Sequence, residues 1–241
     1  MNNFTAGIVS WLLLPVAAWY GLGVRKRTPR LLPPHGPQTG KLGDGAAQIR
    51  VLFMGDSSVA GVGVDDISQT LAPQVARSIH ARNSETVSWR AAGANSAMAK
   101  DLRDYILPNI DQRDFTHIIL CIGTNDMKNF LTANRFKKGF GGLLYAIHAR
   151  WPQAKVIWSP VLNMPDVPAL PPILTWILKL RTQIINSMGN RMCRERQAIA
   201  ATPMSVHSDS GFAIDRFHAN AKGYQFWAEH LTRIIMDGKE L

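Results

Sequence analysis

Three short stretches of this chain carry residue types that suit nucleophilic chemistry. Gly55-Asp56-Ser57-Ser58 closes an apolar run, with Gly61 and Gly63 just beyond. A serine on a strand-to-helix turn presents its hydroxyl beside the unpaired N–H groups of a first helical turn. Gly123-Thr124-Asn125-Asp126 closes a second apolar run, and an asparagine amide at that height can donate to a developing oxyanion. Near the C-terminus stands Asp215-Arg216-Phe217-His218. An Asp three residues before a His can hold its Nδ1 and leave Nε2 free to take a proton. Each stretch also has a plainer use: Ser57 as a helix cap, Asn125 as a turn residue, the Asp215–His218 pair as a loop closure. The glycines after Ser57 do not make a phosphate cradle. A dinucleotide fingerprint from Gly61 needs Gly where Asp66 stands, and no Gly-Lys-Ser/Thr follows.

The elements that must position these residues are legible in the hydrophobic periodicity. Short apolar runs at 49–54, 86–91, 117–122, 155–159 and 198–201 read as strands. Between them, apolar residues recur at helical spacing. Leu71, Val75 and Ile79 form one such set, and Phe136, Phe140, Leu143, Leu144 and Ile147 another, with Thr132 as its cap. Ile173, Ile177, Leu180, Ile184, Met188 and Met192 mark a long helix, and Tyr224, Trp227, Ala228, Leu231 and Ile235 the last one. Strand–helix alternation predicts an α/β fold, a three-layer α/β/α sandwich on a flavodoxin-like parallel sheet of about five strands. In such folds ligands bind at the carboxyl ends of strands, which is where Ser57 and Asn125 fall.

Taken together, in this order and at these topological positions, the three stretches resemble the SGNH hydrolases, also called the GDSL esterase/lipase family. The resemblance spans roughly residues 49–236. Val87-Ser88-Trp89-Arg90, Pro168-Ala169-Leu170-Pro171-Pro172 and Gly223-Tyr224-Gln225-Phe226-Trp227-Ala228 are similar to a subgroup with one N-terminal membrane helix. The resemblance implies a carboxylic ester hydrolase with Ser57 as nucleophile, His218 as general base and Asp215 as the residue that orients it. It places the Asn125 amide in the oxyanion hole with the Ser57 N–H. The family's second block adds a glycine N–H, and counting through residues 91–102 puts Asn95 at that position, with Gly93 two residues earlier as the alternative. Arg216 and Ala219 stand where the family usually has Gly and Pro. These departures leave a second expectation open: a membrane-tethered, non-catalytic binding module on a degenerate hydrolase scaffold. The hydrolase reading needs no cofactor or metal, and an ester, lipid or smaller, is its substrate. The Pro-rich apolar segment 160–175 is expected to form part of an acyl pocket or a lid.

Composition narrows the rest. The chain has 241 residues, 46% apolar and 18% charged, too apolar for a disordered chain. Two cysteines, Cys121 and Cys193, exclude a disulfide scaffold and a Cys-based zinc site. The histidines His35, His80, His117, His148, His207 and His230 show no metal-ligand spacing. The net charge is +10, but residues 25–41 hold five basic residues and no acidic one, against 22 basic and 17 acidic beyond them. Half of the basic excess is therefore juxtamembrane, and no nucleic-acid partner is expected. Residues 4–24 contain no charge and are followed by Arg25-Lys26-Arg27. About 20 apolar residues span a bilayer, so this run reads as a single membrane helix, or an uncleaved signal. The positive-inside rule puts the catalytic domain in the cytoplasm, with an extracytoplasmic site as the alternative. Four prolines and four glycines in 28–48 mark residues 25–47 as a linker, and the hydrolase domain is expected over 48–241.

Overall fold

The computed structural model describes residues 1–204 and 209–237. In chain order the main elements are α1 (Asn3–Leu12), α2 (Leu14–Arg27), β1 (Thr39–Leu42), β2 (Ile49–Gly55), α3 (Ser57–Ala60), α4 (Leu71–Asn83), β3 (Val87–Gly93), α5 (Ala99–Asp101), β4 (His117–Cys121), α6 (Thr124–Lys128), α7 (Ala133–Arg150), β5 (Lys155–Ser159), α8 (Pro172–Glu195), β6 (Ile199–Ala200) and α9 (Ala221–Asp237). The sheet runs β1-β3-β2-β4-β5-β6. Strands β2 to β6 pair in parallel, as the five apolar runs predict, and β1 adds an antiparallel edge against β3.

Alternation along each strand builds two cores. Val51 and Phe53 of β2 face α4 and α9, while Leu52 and Met54 face α7 and α8. Because both faces are covered, β2 and β4 read as continuous apolar runs. The register brings the strand ends level, since Gly55 pairs with Gly93 and Cys121, and Cys121 with Ser159. The turns that leave these ends share one edge of the sheet, the edge that carries the chemistry-bearing residues.

The N-terminal part departs from expectation in two ways. The single helix over residues 4–24 is instead two helices, α1 and α2, that meet at 67° around Leu13. Pro15 stands in the first turn of α2, where its missing N–H costs nothing; inside one continuous helix its ring would clash with the carbonyl of Trp11. No single described helix is long and apolar enough to cross a membrane; only the bent pair together passes that test. The pair packs on α8, burying Ala6, Ser10 and Ala17. Within the stretch read as linker, Thr39–Leu42 forms a strand. Gly40 permits this, because a Cβ there would lie 2.2 Å from the ring of its cross-strand partner Trp89.

Candidate active site

Asp56 follows β2 and caps α3, its Oδ1 accepting from the Ser58 N–H (3.0 Å) and the Ser58 hydroxyl (2.9 Å). The cap fixes Ser57 as the first residue of a four-residue helix that turns back at Gly61, where φ is +84°. Ser57 Oγ lies 3.0 Å from His218 Nε2. His218 Nδ1 lies 2.5 Å from Asp215 Oδ2, and Asp215 Oδ1 accepts from the N–H groups of Phe217 (2.9 Å) and His218 (3.0 Å). Partial burial pushes the Asp215 carboxyl up. The bonds from the His218 ring and the two amides outweigh it and hold the carboxyl below its ordinary range. Asp215 is thus an anion aimed at Nδ1, which sets the tautomer with Nε2 facing Ser57.

The turn that carries this pair is pinned from several sides. Ala213 N–H donates to the His218 carbonyl, Asn220 N–H donates to that of Gly211, and Phe212 bridges Ala219. Gly63 (φ +112°) lies directly beneath it, and a Cβ there would meet the Ala219 carbonyl at 2.1 Å. These contacts hold the turn in place although Ala219 stands where the family has Pro. Arg216 adopts φ +56°, a left-handed backbone, which accounts for glycine being the usual residue there.

Asn125, buried at the start of α6, donates from Nδ2 to the Ala97 carbonyl (3.0 Å) and to Asp56 Oδ2 (3.3 Å). Sequence reasoning did not single out Asp56, yet it joins the Ser57 turn to Asn125. Its position as the capping residue before a strand-end serine is the signal that would have found it. Burial raises its pKa, opposed by the Ser58 bonds. Asp126 accepts from the Ala99 N–H, and its carboxyl is pushed up to about 6 by burial, with the Asp101 and Asp56 charges adding to the rise.

The second block, residues 91–98, leads from the end of β3 into the turn that faces α6. Gly93 packs on the backbone of α3, where a Cβ would lie 2.2 Å from Ala60 N. Asn95 is exposed, within a turn closed by Ala97 N–H donating to the Ala94 carbonyl (3.1 Å). The left-handed residue of that turn is Ser96 (φ +64°), so the backbone conformation that favours glycine sits one residue after Asn95.

Ser57, Asn125 and His218 line a cavity of about 510 Å³; Gly93 and Asn95 do not. Its wall includes Leu162, Met164 and Val167 from the segment 160–175, with Phe217, Phe226 and Trp227. That volume lies within the ordinary range for a small-molecule site. Among the described residues no group of three or more His, Cys, Asp or Glu side chains is placed to hold a metal, and His207 lies outside them. Cys121 and Cys193 are buried free thiols.

Comparison with known proteins identifies the family. The GDSL-like lipase/acylhydrolase family matches residues 53–226. No curated protein matches the chain. Among solved structures it is similar to a lipase/acylhydrolase from Enterococcus faecalis, with 19% identity, TM-score 0.60, and 79% of this chain and 97% of that one covered. An acetylxylan esterase from Geobacillus stearothermophilus gives 12%, 0.60, 80% and 94%. A carbohydrate acetylesterase from Sinorhizobium meliloti gives 14%, 0.57, 80% and 100%. At these identities the neighbours establish the fold alone. The family match spans 174 of the 241 residues, so the chain belongs to the GDSL-like lipase/acylhydrolase family and is a carboxylic ester hydrolase.

Proposed function

We propose that this enzyme cleaves esters through an acyl-enzyme on Ser57. His218 Nε2 takes the hydroxyl proton as Oγ attacks the carbonyl, and Asp215 stabilises the imidazolium. The oxyanion is held by the Ser57 N–H, by the Asn125 amide, which exchanges its 3.3 Å contact with Asp56 for the oxyanion, and by an N–H of the 94–97 turn, at Asn95 or the left-handed Ser96. Gly93 serves by letting that segment approach α3. His218 then protonates the leaving alcohol, and water repeats the cycle on the acyl carbonyl. The observation that carries the reading is the Asp215–His218–Ser57 alignment, 2.5 and 3.0 Å, opening into an apolar cavity.

The catalytic unit is residues 48–241, and the acyl chain lies along Leu162, Met164 and Val167. Residues 4–24 attach the chain to a membrane, with the catalytic domain on the cytoplasmic side by the charge rule. The test is hydrolysis of a short-chain p-nitrophenyl ester together with labelling by a fluorophosphonate, which reacts only with an activated serine. The parent should do both and Ser57→Ala neither. A Ser57→Ala chain that retains hydrolysis removes the nucleophile assignment. A parent that neither reacts nor hydrolyses favours the non-catalytic binding module.

A further inference from the structure

The uncharged N-terminal run has two unlike faces. Towards α8 the first helix turns small or polar residues. Ala6 and Ser10 are fully buried, and a Cβ on Gly7 would meet Ile184 Cδ1 at 4.0 Å. Asn3 Nδ2 donates to Ser187 Oγ (2.8 Å), and Gln183 Nε2 donates to the Met1 carbonyl (2.9 Å) and Asn3 Oδ1 (3.0 Å). The buried Arg181 guanidinium reaches Ser10 Oγ (3.4 Å) and donates to the Leu131 carbonyl. This is the interface of a helix docked onto its own protein. The opposite side is large and apolar: Phe4 (77% exposed), Ile8 and Leu12 on α1, with Trp11 at the flank edge-on to Phe130, then Trp19 (78%), Tyr20 and Leu22 on α2. At 1.5 Å per residue α1 is about 15 Å long and α2 about 21 Å, against a hydrocarbon core of about 30 Å. Bent at 67°, they do not form one straight rod.

The chemistry of what covers this face is written beside it. Arg25, Lys26, Arg27 and Arg30 are exposed at the end of α2, with no acidic residue before Asp44. Apolar side chains with Trp and Tyr, followed by a basic cluster, match the acyl–headgroup boundary of an anionic bilayer. We propose that the helix pair lies in the plane of one leaflet of an anionic phospholipid membrane, held to α8 and not crossing the bilayer. The N-terminus, the basic cluster and the catalytic domain are then on the same side. The first turn of α8, which exposes Ile173 and Trp176, follows directly on the segment that lines the cavity, and α2 packs on the same helix. The proposal rests on the membrane attachment stated above and fixes its geometry.

The experiment uses the full chain with sealed vesicles of phosphatidylcholine, alone or mixed with phosphatidylglycerol. Co-sedimentation should favour the mixed vesicles about tenfold or more and weaken with salt. Phe4→Ser/Leu12→Ser and Trp19→Ser/Leu22→Ser should each weaken it at least as much while keeping hydrolysis of a soluble short-chain ester, which reports an intact fold. Arg25→Glu/Lys26→Glu/Arg27→Glu should remove the preference for anionic vesicles. The thiol introduced by Asn2→Cys should react with an impermeant maleimide added outside vesicles carrying bound protein, the two native thiols being buried. Failure of the parent to bind any vesicle overturns membrane attachment itself, as does a solution dimer that the face variants split in its place. Binding with a thiol that reacts only after the vesicles are opened leaves attachment standing and overturns the in-plane geometry. Face variants that bind as the parent does also overturn it.

Discussion

Asn125 spends both its amide hydrogens in the resting site, one on the Ala97 carbonyl and one on Asp56. A role in transition-state stabilisation predicts that Asn125→Ala lowers kcat by about 10²–10³ and changes KM little, as steady-state kinetics will show. Unchanged kcat would leave Asn125 a structural residue that ties the 94–97 turn to α6. Arg216 makes a separate point. An L-residue in a left-handed backbone is strained by about 1–2 kcal/mol, so Arg216→Gly should raise stability by up to about 1 kcal/mol in denaturant unfolding. Ser57, Asn125, Asp215 and His218 were singled out as candidates in the sequence because each stands in a short pattern whose chemistry is local. Asp56 was not. Its partner Asn125 is 69 positions away and is met only through the β2–β4 register. Counting along the chain likewise does not reveal that Ser96, and not Asn95, is the residue of the 94–97 turn that takes a positive φ.

At the scale of elements, the site depends on close backbone approaches. Gly63 supports the His218 turn, and Gly93 meets α3. Gly63→Ala adds both a clash with the Ala219 carbonyl and a strained φ. It should cost more than about 2 kcal/mol in thermal unfolding and reduce activity further than that loss of fold explains. Asp126 gives the segment after β3 a pH dependence. Its folded pKa of about 6 lies above the ordinary carboxylate value of 3.8, so between these the folded state binds more protons than the unfolded one. The contribution of this group to stability is fully present below pH 4 and is lost as pH rises through 6. Asp126→Asn should flatten that part of a Tm-against-pH curve, which would otherwise report a change on the order of 2–3 kcal/mol. Strands β2, β4 and β5 could be read from their apolar runs because burial on both faces leaves a nearly continuous signal, whereas β3, of which only Val87 is fully buried, rests on a mixed run. The edge strand Thr39–Leu42 could not, since it has no apolar run of its own and exists by virtue of Trp89 lying across Gly40.

For the whole molecule, the N-terminal run shows what hydropathy averages conceal. A window over residues 4–24 records absence of charge but not that Ala6, Gly7 and Ser10 share one side while Phe4, Ile8 and Leu12 share the other. Because α1 covers Leu180, Ile184 and Arg181, removing residues 1–13 should lower Tm by about 5–10 °C, equivalent to roughly 2–3 kcal/mol for a chain of this size. A Tm that does not move would mean the helix pair is an appendage and not part of the fold. The largest consequence comes from one backbone bond between distant parts of the site. The Ala169 N–H donates to the Arg216 carbonyl at 3.1 Å, so the segment that walls the cavity is tied to the turn that holds His218. On the proposed mechanism, an acyl tail that presses on Met164 and Val167 pulls on the strut that aims His218, the proposed proton acceptor, and the pocket acts as a ruler. Across a homologous series of esters, tail length should then register in kcat and not only in KM, with the turnover optimum at the length that fills the cavity without moving that strut.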